Sequence, residues 1–168
     1  MAIKRYVASQ DNTITNAFNS TLLSSQRGTG SNMGAADVLE VFSIYGEASS
    51  SNGLSSELSR ILIQFPIDSI SSDRTAGTIP ASGSVSFYLR AFNAEHPFSV
   101  PSGFTLSASA LTRDWEEGFG LDMEGYRDET KEGAGANWQY ASTGTSWTRN
   151  GGDYDFNRKS TFDQTFTK

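Results

Sequence analysis

Apolar residues recur along much of this chain with a period of two. In SVSFYLRAFNA, Val85, Phe87, Leu89 and Ala91 alternate with Ser86, Tyr88 and Arg90. In FTLSASALT, Phe104, Leu106, Ala108 and Ala110 share one face, with Thr105, Ser107 and Ser109 on the other. Successive side chains of a strand point to opposite faces, so this alternation predicts strands with one buried and one solvated face. VLEVFSIYG (38–46) and LSRILIQFPI (58–67) are more continuously apolar, as central strands covered on both faces are. STFDQTFT (160–167) sets Phe162 and Phe166 on one face and predicts a last strand.

Between these runs lie clusters of Gly, Pro, Ser and Asn: 27–34, 46–53, 68–83, 96–103 and 148–153. Such residues supply positive φ or local side-chain capping, and they mark turns. Helical signals are thin. GAADVLEVF starts like a helical turn, but its β-branched residues and unbroken apolar run favour a strand. Many short strands separated by turns predict an all-β fold, an antiparallel β-sandwich resembling a jelly roll, in one domain spanning 1–168.

Length agrees with this, since 168 residues and 18.2 kDa fit one domain with a full core. The absence of cysteine excludes disulfides, thiolate metal sites and a cysteine nucleophile. A net charge of −6 argues against nucleic acid as a partner, because phosphate binding draws on Lys and Arg. No apolar run approaches the ~18 residues of a membrane span, so no membrane insertion is expected. The opening MAIKRYVASQ has basic residues but no apolar run behind them. It reads as the start of a whole protein without a signal peptide, made in a host cytoplasm.

Catalytic motifs are sparse. The single histidine, His96, sits in the bend NAEHPFSVP with no nucleophile elbow elsewhere. Glycoside hydrolysis needs only two carboxylates ~5–10 Å apart, and Asp114 with Glu116, or Asp122 with Glu124, are candidate same-side pairs. Glu116 and Glu117 are adjacent and would point apart on a strand. A solvated acidic loop explains these residues more simply. DYDFNRKSTFDQ copies the start of a calcium loop at Asp153, Asp155 and Asn157. It then has Arg158 where Gly is needed and Gln164 where Glu belongs. No cofactor is expected, with calcium held by carboxylates of 114–132 as the one weaker alternative.

The charge is concentrated. Arg113–Glu132 holds eight acids and three bases, a net −5 of the chain's −6. That glycine-broken connection either steers a partner or keeps one face soluble. The tryptophans stand at 115, 138 and 147. Trp138 and Trp147 read as core, since each large ring brings ~150–250 Å² of burial. Trp115 fits either the core or a flat platform for a sugar ring.

The order of features resembles the DNRLRE-type β-sandwich family, whose members look like carbohydrate-binding modules. The resemblance runs through DNTIT (11–15), GTGSNMGAADVLEV (28–41), SRILIQFPIDSI (59–70) and IPASGSVSFYLRAF (79–92). It closes on RDWEEG (113–118), GANW (135–138) and SWTRNGGDY (146–154). The family's eponymous hexapeptide is not present literally, and the acidic insertion after RDWEEG is unusual for it. The resemblance implies no catalytic residue. The Gly/Ser/Thr/Asn-rich, cysteine-free composition also resembles virion proteins of marine phages that infect cyanobacteria.

The expectation is a non-enzymatic virion structural protein, decorating a capsid or forming an accessory tail or collar part. Its partners would be other virion proteins and further copies of itself. The alternative is an adhesion module for host-surface glycans. The candidate partner or glycan surface is Trp115, Glu116, Glu117, Asp122, Glu124 and Tyr126. The candidate docking segment is Ile3, Lys4, Arg5 and Tyr6.

Overall fold

The computed structural model describes residues 3–18, 27–45, 56–95, 105–121 and 134–163, and its regular structure is antiparallel sheet with one short helix. The strands are β1 (Gln10–Thr15), β2 (Ser43–Tyr45), β3 (Ser56–Gln64), β4 (Thr105–Leu111), β5 (Tyr140–Ser142), β6 (Thr145–Ser146) and β7 (Tyr154–Asp163). β3 lies between β1 and β2, β4 pairs with β7, and β5 pairs with β6. All three sheets are antiparallel, as the turn-rich sequence predicts.

The central place of β3 follows from its sequence. Against β1 it keeps a continuous register from Gln10↔Gln64 to Thr15↔Ser59. Leu62 and Arg60 stand opposite Asn12 and Ile14 and share their face, while Glu57 and Ser59 are buried on the other. That second face is covered by residues 40–42. The Ser59 hydroxyl accepts the Phe42 N–H at 2.8 Å and donates to the Glu40 carbonyl at 3.0 Å. Both faces are occupied, as the near-continuous apolar run suggests.

Four expectations are corrected. VLEVFSIYG is a strand only at Ser43–Tyr45, it lies at a sheet edge, and Val38 and Val41 are exposed. The turn cluster at 68–83 contains a helix, α1 (Ile67–Thr75). No residue of α1 is buried, so it has no apolar stripe for a period of 3.6 to reveal. Its supports lie at its ends: Pro66 precedes it, Asp68 and Arg74 suit the helix dipole, and Gly77 at φ +72° closes it. In β4 the alternation is broken, with Ala108 exposed and Ser109 half-buried, and the register against β7 shifts further along, between Ser109 and Leu111. Lastly, SVSFYLRAFNA is not a strand. Val85–Glu95 forms no ladder and exposes Phe87, Tyr88, Leu89 and Phe92.

The last strand begins earlier than expected, at Tyr154, and Phe166 lies outside the described residues. The turn at 148–153 is present, with Gly151 and Gly152 at positive φ. No helix among the described residues is long and apolar enough to cross a membrane.

The core gathers Ile14, Leu62, Trp115, Ala136, Trp138, Ala141 and Trp147, with Leu58 and Leu111 against it. Trp138 and Trp147 are core residues, as expected. Trp147 Nε1 donates to the Asn137 carbonyl at 2.8 Å, so its polar edge is satisfied inside.

Candidate functional site

The RDWEEG segment threads between two parts of the chain that hold its backbone. The Glu116 N–H donates to the Ala141 carbonyl at 2.9 Å, and the Ala136 N–H donates to the Glu116 carbonyl at 2.7 Å. This ladder-like clamp alternates the side chains that follow it. Trp115 turns inward and is 8% exposed, packed with Trp138, Trp147 and Ile14. Its ring therefore offers no flat face to a sugar: of the two readings open for Trp115 the structure shows core, and its place in the candidate glycan surface is corrected. Burying a ring this large stabilises a small fold more than displaying it.

Glu116 turns outward, and its Oε2 accepts both the N–H and the hydroxyl of Thr143, at 2.9 and 3.0 Å. Glu117 is half-buried, and its Oε1 accepts the Asp11 N–H at 2.8 Å. The adjacent carboxylates thus bind different segments, as the strand argument anticipates. Burial, and then the charge of Glu117, raise the Asp11 carboxyl above its ordinary value. Asp11 is the acid that faces Glu117, and sequence spacing had no way to link positions so far apart. Asp122, Glu124, Tyr126 and His96 lie outside the described residues.

Beneath this surface lies a set of buried asparagines that the sequence reading missed. Asn12 Oδ1 accepts the Met33 N–H at 2.9 Å, and its Nδ2 donates to the Ala136 carbonyl at 2.8 Å. Asn32 Oδ1 accepts the Gly120 N–H at 2.7 Å, while its Nδ2 donates to the Ala134 carbonyl at 3.0 Å. Asn137 Oδ1 accepts two backbone N–H groups, from Gln139 and Tyr140, both at 2.8 Å. Asn12 and Asn32 each supply a donor and an acceptor to irregular backbone that no sheet satisfies, whereas Asn137 supplies its acceptor and keeps Nδ2 buried without a partner. Gly118 is part of the same fit, since a Cβ there would overlap the Asn32 side chain. The signal that could have found them is the repeated pairing of Asn with Gly in GSNMG and GAGANW.

A second anchor is Asp153, in the glycine turn. Its oxygens accept the N–H groups of Thr148 and Arg149 at 3.0 and 2.9 Å, and Arg113 Nε lies 3.2 Å away. Burial pushes its carboxyl up. The N–H bonds from Thr148 and Arg149, with help from the Thr148 side chain and Arg113, outweigh that and hold it below the ordinary value. Nearby, Arg60 donates to the Gly151 carbonyl and stacks over Trp138, 4.9 Å from the ring centre. The turn of SWTRNGGDY is thereby fastened to β3.

The docking segment is divided. Tyr6 donates its hydroxyl to Asp73 of α1 at 2.7 Å, and Lys4 Nζ lies 3.1 Å from the same carboxylate. The hydrogen bond with Asp73 raises the Tyr6 phenol and, with Lys4, lowers Asp73. Lys4 and Tyr6 therefore tie the N-terminus to α1, whereas Ile3 and Arg5 face solvent. Among the described residues no three acidic or histidine side chains gather as metal ligands do. Compared with family models, curated proteins and solved structures, the chain matches none.

Proposed function

We propose that the chain is a non-enzymatic structural protein of a phage particle. It would be a β-sandwich subunit that decorates the capsid or forms an accessory tail or collar part. It acts through contacts with other virion proteins and with copies of itself. One observation carries this reading: Glu116 and Glu117 bind separate segments of backbone and Trp115 is buried in the core, so these three side chains are not aimed at a common point. The partners of the two carboxylates are Thr143 and Asp11. Residues committed in this way support a scaffold, whose surfaces matter more than any reacting group. The large apolar side chains left exposed at Phe87, Tyr88, Leu89 and Phe92 fit protein contact.

Mass spectrometry of purified particles tests this reading. The protein should be present at a stoichiometry of many copies per particle, and its absence from washed particles would contradict the proposal. A glycan array with the same protein addresses adhesion. With Trp115 buried, no exposed tryptophan among the described residues favours that alternative.

A further inference from the structure

The turn at 148–153 sets Asn150 directly before Gly151, the pair in which an asparagine side chain is most open to attack by its own backbone. Asparagine is among the chemically labile residues, and a glycine after it has no side chain to hinder the attacking nitrogen. Asn150 is exposed, whereas Gly151 and Gly152 are buried. The Gly152 N–H donates to the Arg149 carbonyl at 3.2 Å and closes a four-residue turn. Gly151 stands third in it at φ +84°, the place where a type II turn needs glycine.

Both backbone groups of Gly151 are held. Its N–H donates to the Trp138 carbonyl at 2.7 Å, and its carbonyl accepts from Arg60, whose guanidinium lies over the Trp138 ring. The space around it is filled as well. A Cβ on Gly151 would meet Arg60 Nη1 at 2.7 Å and the Trp138 ring at 2.9 Å.

We propose that Asn150 is a site of spontaneous deamidation, that opening of this lock sets its rate, and that the isoaspartate product keeps the lock from closing again. The Gly151 nitrogen gives up its proton and bonds to Asn150 Cγ, and Nδ2 leaves as ammonia. The product is a five-membered succinimide ring. Water opens the ring at either carbonyl: at Cγ it yields aspartate, and at the backbone carbon it yields isoaspartate. Nothing is oxidised or reduced, and water is the only other reactant. While the lock is closed, the proton to be lost is engaged by the Trp138 carbonyl and the nitrogen faces the core, so attack waits for a local opening. Isoaspartate routes the main chain through Cβ and Cγ and adds one backbone atom before Gly151. The N–H and carbonyl of Gly151 are fixed at two separate points in filled space, and the longer link cannot serve both.

Peptide mapping by mass spectrometry, after incubation at mildly alkaline pH, supplies the first test. It is read on the peptide that carries Asn150, because Asn52–Gly53 is a second such pair in the sequence. Deamidation at Asn150 should be at least about tenfold slower in the folded protein than in the same chain unfolded in concentrated urea. Equal rates would overturn the proposal. Arg60→Ala removes one hold on Gly151 and should speed the reaction at least about threefold, at a temperature where circular dichroism shows the variant folded. An unchanged rate would mean that the lock does not set it. Deamidated protein carries one more negative charge and is separated by ion exchange. In its isoaspartate form the Gly151 amide should exchange its hydrogen at least about tenfold faster than in unmodified protein, and undiminished protection would overturn the proposal. Asn150→Gln, whose side chain is too long to close the five-membered ring, should keep that amide protected through the same incubation. Loss of protection in this variant would overturn the proposal too.

Discussion

Around Trp138, irregular backbone is buried and its polar groups are met by asparagine side chains, while from Val85 to Phe92 backbone and aromatic rings alike face solvent. Both regions hold long stretches outside any sheet. They differ in whether side-chain amides stand in for a ladder. Where Asn12, Asn32 and Asn137 do so, tryptophans can close over the chain, and burial follows. Where no such residue is present, from Val85 to Phe92, apolar alternation alone forms no ladder with the described residues.

The largest effect that would break this contrast comes from the clamped side. Trp138→Ala removes a core ring and the surface on which Arg60 stacks. It should destabilise the fold by about 3–5 kcal/mol in urea titration. A loss below about 1 kcal/mol would mean that the ring is not core. Next, Asn32→Ala strands the Gly120 N–H and the Ala134 carbonyl and should cost about 2–4 kcal/mol. Gly118→Ala attacks the same fit by overlap with Asn32, at about 1–3 kcal/mol. Combined with Asn32→Ala it should cost less than the sum, because its obstacle has gone.

A pH series sharpens the comparison within the clamped side. Asp153 is held below its unfolded value, so its contribution is full above that value. It is lost as pH falls through the folded one, below about pH 4. Asp11 has the opposite sign. Its folded value is raised, so its contribution is present below the unfolded value and disappears as pH rises through the folded one. Asp153→Asn should flatten the acid limb of a stability profile, and Asp11→Asn should raise stability modestly at neutral pH. The smallest effect belongs to the open side. Phe87→Ser in dilute protein should change stability by less than about 0.5 kcal/mol, since the ring packs on little.

Much of the sheet was legible because its signal is local. β3, β4 and part of a last strand could be read from the spacing of Leu, Ile, Ala and Phe, though not its start at Tyr154, and Trp138 and Trp147 from their size. The helix was not, because α1 buries nothing and serines fill its middle. The segment at 85–92 misled for the converse reason: alternation reports what a strand would bury, and does not supply the neighbour that it needs. The site was least legible. Trp115 reads equally as platform or core until the backbone of Glu116 is seen bound to Ala136 and Ala141. The pairing of Asp11 with Glu117 depends on long-range packing that no spacing encodes.

Hydrogen exchange in dilute protein tests the contrast between the two sides most directly. The amides of Asn12–Thr15 and Ala136–Tyr140 should exchange slowly, through opening of the whole fold, while those of Val85–Glu95 should exchange almost as fast as in an unfolded chain. Equal protection of the two regions at the lowest concentration would contradict the account.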